Sequence, residues 1–479
     1  MNTASHAVAL CALGLEKVLQ SEIERIGLKP AGREAGRVRF ELGDKPDAEL
    51  MRANLCLRTA ERILIEAGRF HAENFDELFE QVRNLPWELY FRRDDRLLIE
   101  RVRLRDSKLA AQTSVQSIAH KAIYERLGGV FNLRRLPESG AARSMRIYIE
   151  ADQCLLGLDS SGEALHKRGY RRATSEAPLK ETVAAGLLFL SGWNRRIPLL
   201  DPFCGSGTIL VEAALYAMDR APGLGRAFAL EGMPFAGAAA LGAEIEAAKA
   251  RVRRDAEFRI LGSDLDPRAL EAARANAALA GVAAGLELRK AKAEEATPTY
   301  ERGYLLANPP YGERLGSIPE AEALYGRLGE AAERFSGWGL GFIVNRPDFG
   351  DFFGFQAPKQ HKIVNGAEEQ WFSWFPPGYS FAADEREVGQ GGASRGPVEP
   401  SPRAKRPGAP RASRGERSPG GARGSAGSRT PRRPWIGPDL PGWKAPRRGE
   451  GPEPGARRGP PRPARPLGPD RSGWKKRQG

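Results

Sequence analysis

Between Leu305 and Gly316 the chain reads LLANPPYGERLG, an apolar run that stops at an amide, two prolines and a tyrosine. Proline has no backbone N–H to give to a sheet, so a buried strand has to end there. The order Asn308, Pro309, Pro310, Tyr311 suits a particular chemistry. The exocyclic amine of a purine is a poor nucleophile because its lone pair is delocalised into the ring. If the Asn308 side-chain oxygen and the Pro309 carbonyl both accept from that amine, the nitrogen can pyramidalise and turn its lone pair outward. The prolines stiffen the turn, and Tyr311 can stack on a base drawn out of its helix. Such catalysis is mainly positioning for in-line attack and demands no strong base. A plain strand-ending turn would use the same residues, so the reading depends on what accompanies them.

Two other motifs do. DPFCGSGT at 201–208 ends an apolar strand and opens a helix. Gly205 and Gly207 let the backbone come close to a ligand, and Ser206 and Thr208 can cap the helix. The missing GKS or GKT ending argues against a nucleotide-triphosphate loop. GSDLDP at 262–267 ends a second strand. An acid at that tip can accept from both ribose hydroxyls of a nucleoside, and Asp264 is the candidate. Asp266 is placed to cap the helix that starts at Pro267. Capping alone is the competing role for either acid.

These motifs need a frame. From about 176 the pattern alternates strand and helix in the manner of a parallel, doubly wound sheet, and HKIVNG and EQWFSWF read as a closing antiparallel pair. Ahead of it stand two smaller α+β units, the second running to about 165. In the second, RLRDSKLAAQTS joins strand to helix and sets Arg103, Arg105, Ser107 and Lys108 at the helix entrance. A phosphate held there and a simple cap are both open readings.

The charge is unevenly divided. The 479 residues carry a formal +14, yet residues 391–479 hold 22 Lys and Arg against 6 Asp and Glu, leaving −2 for everything before them. From about 386 the composition is Gly, Pro, Arg and Ser, too poor in apolar side chains to offset chain entropy, and a disordered tail is expected. Trp435, Trp443 and Trp474 among its cations suit RNA binding by phosphate attraction and stacking; a solubilising extension is the alternative. Four scattered cysteines, with no CxxC pair, argue against a disulfide framework or a zinc site and suit a reducing cytoplasm. No apolar run approaches the roughly 20 residues that span a bilayer.

DPFCGSGT, GSDLDP and NPPYGERLG, in this order, resemble the S-adenosylmethionine-dependent amino-methyltransferases of the class I fold. LHKRGYRRATSEAPLKETVAAGLL at 165–188 and the two preceding α+β units narrow the resemblance to the THUMP-containing ribosomal RNA guanine-N2 methyltransferases that act on the large subunit. The likeness covers about residues 5–380. It implies a ferredoxin-like domain at 1–58, a THUMP domain gripping RNA at 59–165, a Rossmann-like catalytic domain with a mostly parallel sheet and an antiparallel last strand at 166–385, and the tail at 386–479. It further implies that Asp201, Phe203, Gly205, Ser206, Gly207 and Thr208 surround S-adenosylmethionine, with Asp264 on its ribose. Lys180, Glu181 and Thr182 would flank the methionine end. Asn308, Pro309, Pro310 and Tyr311 would hold the guanine amine, and Lys108, Arg168 and Arg171 would face RNA, although the two arginines suit a hinge ion pair equally. The partner implied is 23S rRNA or its precursor, with no metal and no membrane.

One departure stands out. The family places an Asp after the third strand of the catalytic sheet to meet the adenine amine, whereas LELRKAKAEEATP has none; Glu294, Glu295 or a backbone group would have to serve. The Asn-Pro-Pro-Tyr motif also serves adenine-N6 and protein glutamine-N5 methyltransferases, because all three targets are conjugated planar nitrogens. The roughly 160 residues in front favour RNA. A non-catalytic RNA-binding assembly factor is the rival from another class. Pyrimidine-C5 chemistry would need a cysteine at the base, and Cys204 sits in the cofactor loop instead.

Overall fold

The structure, a computed structural model, describes residues 5–171, 179–311, 317–366 and 368–381. The tail and its tryptophans, and the Gly312–Gly316 end of the asparagine-proline-proline-tyrosine motif, lie outside them.

The first half builds one sheet from two α+β units. β1 (His6–Cys11), α1 (Glu16–Arg25), β2 (Pro30–Glu34), β3 (Arg37–Glu41) and α2 (Pro46–Cys56) form the first. β4 (Ala60–His71), α3 (Phe75–Arg83), β5 (Arg96–Arg105), α4 (Gln112–Phe131), β6 (Ala142–Glu150) and β7 (Gln153–Asp159) form the second. The strand order is β2-β3-β1-β4-β7-β6-β5. β4 is the splice. Its first residues pair with β1, Ile65 opposite Ala7, and its length from Leu64 to His71 pairs with β7. Alternation sends Ala7, Ala9, Ile63, Ile65, Ile147 and Ile149 into a core beneath the helices, where they meet Leu19, Ile23, Leu50 and Ile123. β2 was not foreseen. Its PAGRE sequence has no apolar alternation, and as an edge strand its only ladder partner among the described strands is β3.

The second half is the expected doubly wound sheet. α5 (Glu181–Leu190) precedes β8 (Leu199–Asp201), α6 (Thr208–Ala217), α7 (Ala238–Ala250), β9 (Ile260–Asp264), α8 (Pro267–Ala280) and β10 (Leu286–Lys290). β11 (Tyr304–Ala307), α9 (Ile318–Ala332), β12 (Gly339–Val344), α10 (Phe349–Phe353), β13 (Lys359–Asn365) and β14 (Glu368–Phe375) follow. The order is β10-β9-β8-β11-β12-β14-β13, parallel from β10 to β12 and antiparallel at the last two. Strand order reverses between β8 and β11, and ligands of such sheets bind at the carboxyl ends beside that switch.

The halves are not separate beads. The stretch after α6 returns to the first sheet and places Phe228, Leu230, Met233, Leu241 and Ala248 in its core. Arg52 on α2 forks onto Glu244 of α7 at 3.0 and 2.6 Å. Buried Arg143 pairs with Asp95 at 2.9 Å and also donates to the Ala229 and Gly232 carbonyls. At the other side Leu13 and Val364 exchange backbone hydrogen bonds. Gly14 permits that crossing: its φ is +97°, and a Cβ there would stand 2.1 Å from the Lys362 carbonyl oxygen. Among the described residues no helix is long and apolar enough to cross a membrane.

Candidate active site

The end of β8 is a loop folded around two carboxylates. Asp201 accepts from the Phe203 N–H at 3.0 Å and is 2 % exposed. Asp264, at the tip of β9, accepts from the Gly205 N–H at 2.9 Å on one oxygen and from the Asp266 N–H at 2.9 Å on the other. The loop closes on itself through Gly207 N–H to the Cys204 carbonyl at 2.7 Å, and Asn276 of α8 donates to the Ser206 carbonyl at 3.0 Å. Burial drives the Asp201 carboxyl up to about 8, against the Phe203 hydrogen bond and with help from the Asp264 charge. Burial likewise raises the Cys204 thiol well above its ordinary range, which suits a loop-filling side chain rather than a nucleophile.

A cleft of about 350 Å³ opens here. Asp201, Phe203, Gly205, Ser206, Thr208 and Asp264 line it on one side, and Asn308 and Pro310 at the end of β11 line it on the other. The three motifs, spread from 201 to 311 in the chain, therefore meet at the switch point. The Asn308 side-chain oxygen is buried and accepts no hydrogen bond from any described residue. A buried acceptor left open costs free energy, and at the wall of the cleft a donor arriving from outside can satisfy it. Pro310 is fixed from behind: the Tyr325 hydroxyl of α9 donates to its carbonyl at 3.4 Å. Pro309 is buried beneath, and Tyr311 is the last described residue of the turn.

Several expected roles shift. Neither Ser206 nor Thr208 caps α6; Gly207 is the N-cap at φ +83°, and a Cβ on it would press Ala273 of α8 at 3.1 Å. Gly207 thus serves helix packing rather than the cleft wall. Asp266 does cap α8, accepting from the Arg268 N–H at 2.9 Å. The Thr182 hydroxyl donates to Glu61 of β4, and the residue is fully buried, so it joins the two halves of the protein instead of lining the cleft. Arg168 does not face RNA. Its side chain is 3 % exposed, donates to the Leu165 and Arg58 carbonyls and lies 3.6 Å from Glu212. Arg171, also largely buried, donates to the Leu179 carbonyl at 2.9 Å and to the Thr208 hydroxyl at 2.8 Å.

The helix entrance near Lys108 is internally satisfied. The Ser107 hydroxyl and the Lys108 N–H both donate to Asp152 at 2.8 Å, and the Lys108 ammonium pairs with Glu73. Ser107 and Lys108 thus already have a carboxylate, as does Arg105 through Glu150 at 3.0 Å, and of the four only Arg103 makes no ion pair among the described residues. Glu294 lines the cleft, whereas Glu295 points to solvent and pairs with Lys292 at 3.1 Å. Sequence reasoning missed the apolar walls Leu179, Ile209, Leu265 and Leu324. The only available signal was the three-residue spacing of Leu324 and Arg327, which puts both on one face of α9.

Three family patterns match this chain: an RlmL ferredoxin-like domain at 6–64, a THUMP domain at 72–159 and an RMKL-like methyltransferase domain at 168–370. The putative RNA methyltransferase YpsC of Bacillus subtilis is 36% identical over 362 residues, 75% of this chain and 92% of the relative. The chain belongs to the RMKL-like methyltransferases. The ribosomal RNA large subunit methyltransferase K/L of Syntrophotalea carbinolica is 35% identical over 375 residues, 74% of this chain, which spans only about half (51%) of that relative. The crystal structure of SMU.472, a putative methyltransferase complexed with SAH, superposes with a TM-score of 0.73 at 35% identity, covering 79% of this chain and 99% of that one. The methyl donor is S-adenosylmethionine. The cleft suits it: carboxylates for hydroxyl and ammonium donors, apolar walls for a purine ring, and an open acceptor where a second substrate would enter.

Proposed function

We propose that this protein methylates the exocyclic N2 amine of one guanosine in 23S rRNA or its precursor. The observation that carries the proposal is the open, buried Asn308 oxygen at the mouth of the cleft. An amine with two hydrogens can satisfy it with one of them. The second goes to a carbonyl of the proline turn, and since Tyr325 already donates to Pro310, the Pro309 carbonyl is assigned this part. Both hydrogen bonds strengthen as the nitrogen leaves the ring plane, so the turn favours the transition state over the ground state. The bound cofactor supplies a methyl group on a positively charged sulfur that departs as a neutral thioether. As the new N–C bond forms and the C–S bond breaks, the surplus amine proton passes to water. Tyr311 is assigned to stack on the base.

On the donor side Asp264 is assigned to the ribose hydroxyls, since each of its oxygens accepts only one backbone N–H and keeps a lone pair free. Gly205 and Phe203 would bound the methionine and the rings, and Glu294, which lines the cleft, is assigned to the adenine amine. The division into 1–58, 59–165 and 166–385 gives RNA capture to the first two parts. RNA reaches them through exposed cations rather than through Arg168 or Arg171: Arg101 and Arg103 on β5 are exposed and make no ion pair among the described residues. The setting is cytoplasmic, in keeping with four unpaired cysteines.

Nucleoside mass spectrometry of rRNA from a deletion strain tests this directly. Loss of N2-methylguanosine at one 23S position, restored by the wild-type chain, is the expected result. Loss of N6-methyladenosine instead would move the acceptor to adenine. A protein that binds neither S-adenosylmethionine nor its product would be the assembly factor.

A further inference from the structure

The segment between the two halves is unusually rich in buried charge. Arg58, at the foot of β4, is buried and donates to the Leu215 carbonyl of α6 at 3.2 Å and to the Arg220 carbonyl. Its own carbonyl receives Arg168, which lies beside Glu212 of α6. The Tyr170 hydroxyl donates to that same Glu212 at 3.1 Å. Glu61, three residues beyond Arg58, gathers the Thr182 hydroxyl, the His166 ring at 2.9 Å and the Lys180 ammonium at 3.9 Å. Thr182 and Lys180 tie α5 to β4, Arg58 just ahead of β4 ties on α6, and the connecting residues His166, Arg168 and Tyr170 add contacts to Glu61 and Glu212.

Arg171 stands where this network meets the cleft. One guanidinium nitrogen, Nη2, bridges the Leu179 carbonyl and the Thr208 hydroxyl, and both of those residues line the cleft. Its Nε lies 3.4 Å from Glu181 at the start of α5. Glu181 is 3 % exposed, with one carboxylate oxygen unpartnered, so Arg171 is the only cation that compensates it within 4 Å among the described residues. Thr208 heads α6 without capping it, and among the described residues its hydroxyl is held by Arg171. A charged donor bonded to both walls sets their separation more firmly than apolar contact would.

We propose that Arg171 is a positioning residue that sets the cofactor cleft from the junction, by holding Leu179 and Thr208 at a fixed distance against the Glu61–Arg58–Glu212 framework. Arg171 itself is not among the residues that line the cleft. The inference does not rest on which base is methylated, because its readout is binding of the product cofactor.

The test is calorimetry of S-adenosylhomocysteine on the full chain, with circular dichroism to confirm folding. Arg171→Met is expected to weaken binding about 10- to 100-fold, through removal of a charge-assisted pair of hydrogen bonds, and Arg171→Lys to recover part of it. Thr208→Val should weaken binding, and adding it to Arg171→Met should cost little more, since the two act as one unit. RNA affinity by filter binding should stay within about twofold in every variant, as expected when the platform is intact. A folded Arg171→Met with wild-type affinity, or strictly additive effects of the two changes, overturns the proposal. Should Arg171→Met not fold, Arg171→Lys and Thr208→Val decide alone, and wild-type affinity in both refutes it.

Discussion

Asn308 and Asp201 show how differently two polar groups can be left wanting. The Asn308 oxygen is open among the described residues, and in the proposed function the acceptor amine fills it. Asn308→Ala should lower kcat by more than about 100-fold while S-adenosylhomocysteine affinity stays within about twofold, the pattern of an interaction made in the transition state. Single-turnover assays and calorimetry separate the two readouts; weakened cofactor binding with turnover preserved would reassign the residue. Asp201 is open to a proton instead. Its carboxyl sits at about 8 when folded and at the ordinary carboxylate value when unfolded, so between those limits the folded state holds a proton that the unfolded state has released. Its stabilising contribution is complete below about pH 4 and is lost as pH rises through about 8. In urea titrations of the cofactor-free protein, wild type should lose stability from pH 5 to 7.5 relative to Asp201→Asn, with a slope difference of about 1 kcal/mol per pH unit. Parallel pH profiles for the two proteins would mean that Asp201 is ionised in the cleft.

At the level of strands and helices, the segment after α6 makes the less obvious claim. By position it belongs to the catalytic half, yet Leu230 and Met233 are buried in the core of the first sheet. Leu230→Ala should therefore destabilise the whole body by about 2–5 kcal/mol, the usual cost of a large-to-small core change. One transition, followed both by tryptophan fluorescence and by circular dichroism, is expected; an early melt confined to the catalytic half would contradict it. This return was not legible in advance. The motifs were, because each is a local event: an apolar strand, a breaker, a helix, with the functional residue at the join. Asp264, Asp266, Asn308 and the closing antiparallel pair could be placed from neighbours within ten residues. Thr182 meets Glu61 from 121 positions away and Arg168 meets Arg58 from 110, and nothing in the local composition marks either partner. Buried arginines in a basic-looking stretch read as RNA ligands until their acceptors are seen. β2 escaped for the opposite reason, being an exposed edge strand without periodicity.

At the scale of the whole molecule, charge separates two candidate sources for the proposed RNA capture. Residues before 391 carry a net −2, so bulk field gives the body no pull on a polyanion, and the proposed RNA contact falls to particular exposed cations such as Arg101 and Arg103. These lie on the face of β5 opposite Val102 and Leu104, which pack into the core, and Arg103 is in register with Tyr148 of β6, a half-buried ring on the same face. Residues 391–479 carry +16 spread along a Gly- and Pro-rich sequence with three tryptophans. The two sources predict different salt signatures, because every phosphate that a cation no longer neutralises lowers the slope of log K against log salt by somewhat less than one. Arg101→Ala with Arg103→Ala should weaken binding of a 23S fragment and reduce the slope by between one and two. Truncation after residue 390 should reduce it by several, with most of the affinity loss at low salt and little at high salt, where the tail's counterions are no longer worth releasing. Methylation of that fragment at saturating RNA should proceed at the same kcat with the tail removed, since the residues of the cleft all precede it. An unchanged slope after truncation would make the tail a spacer, and a fallen kcat would place part of it at the active site.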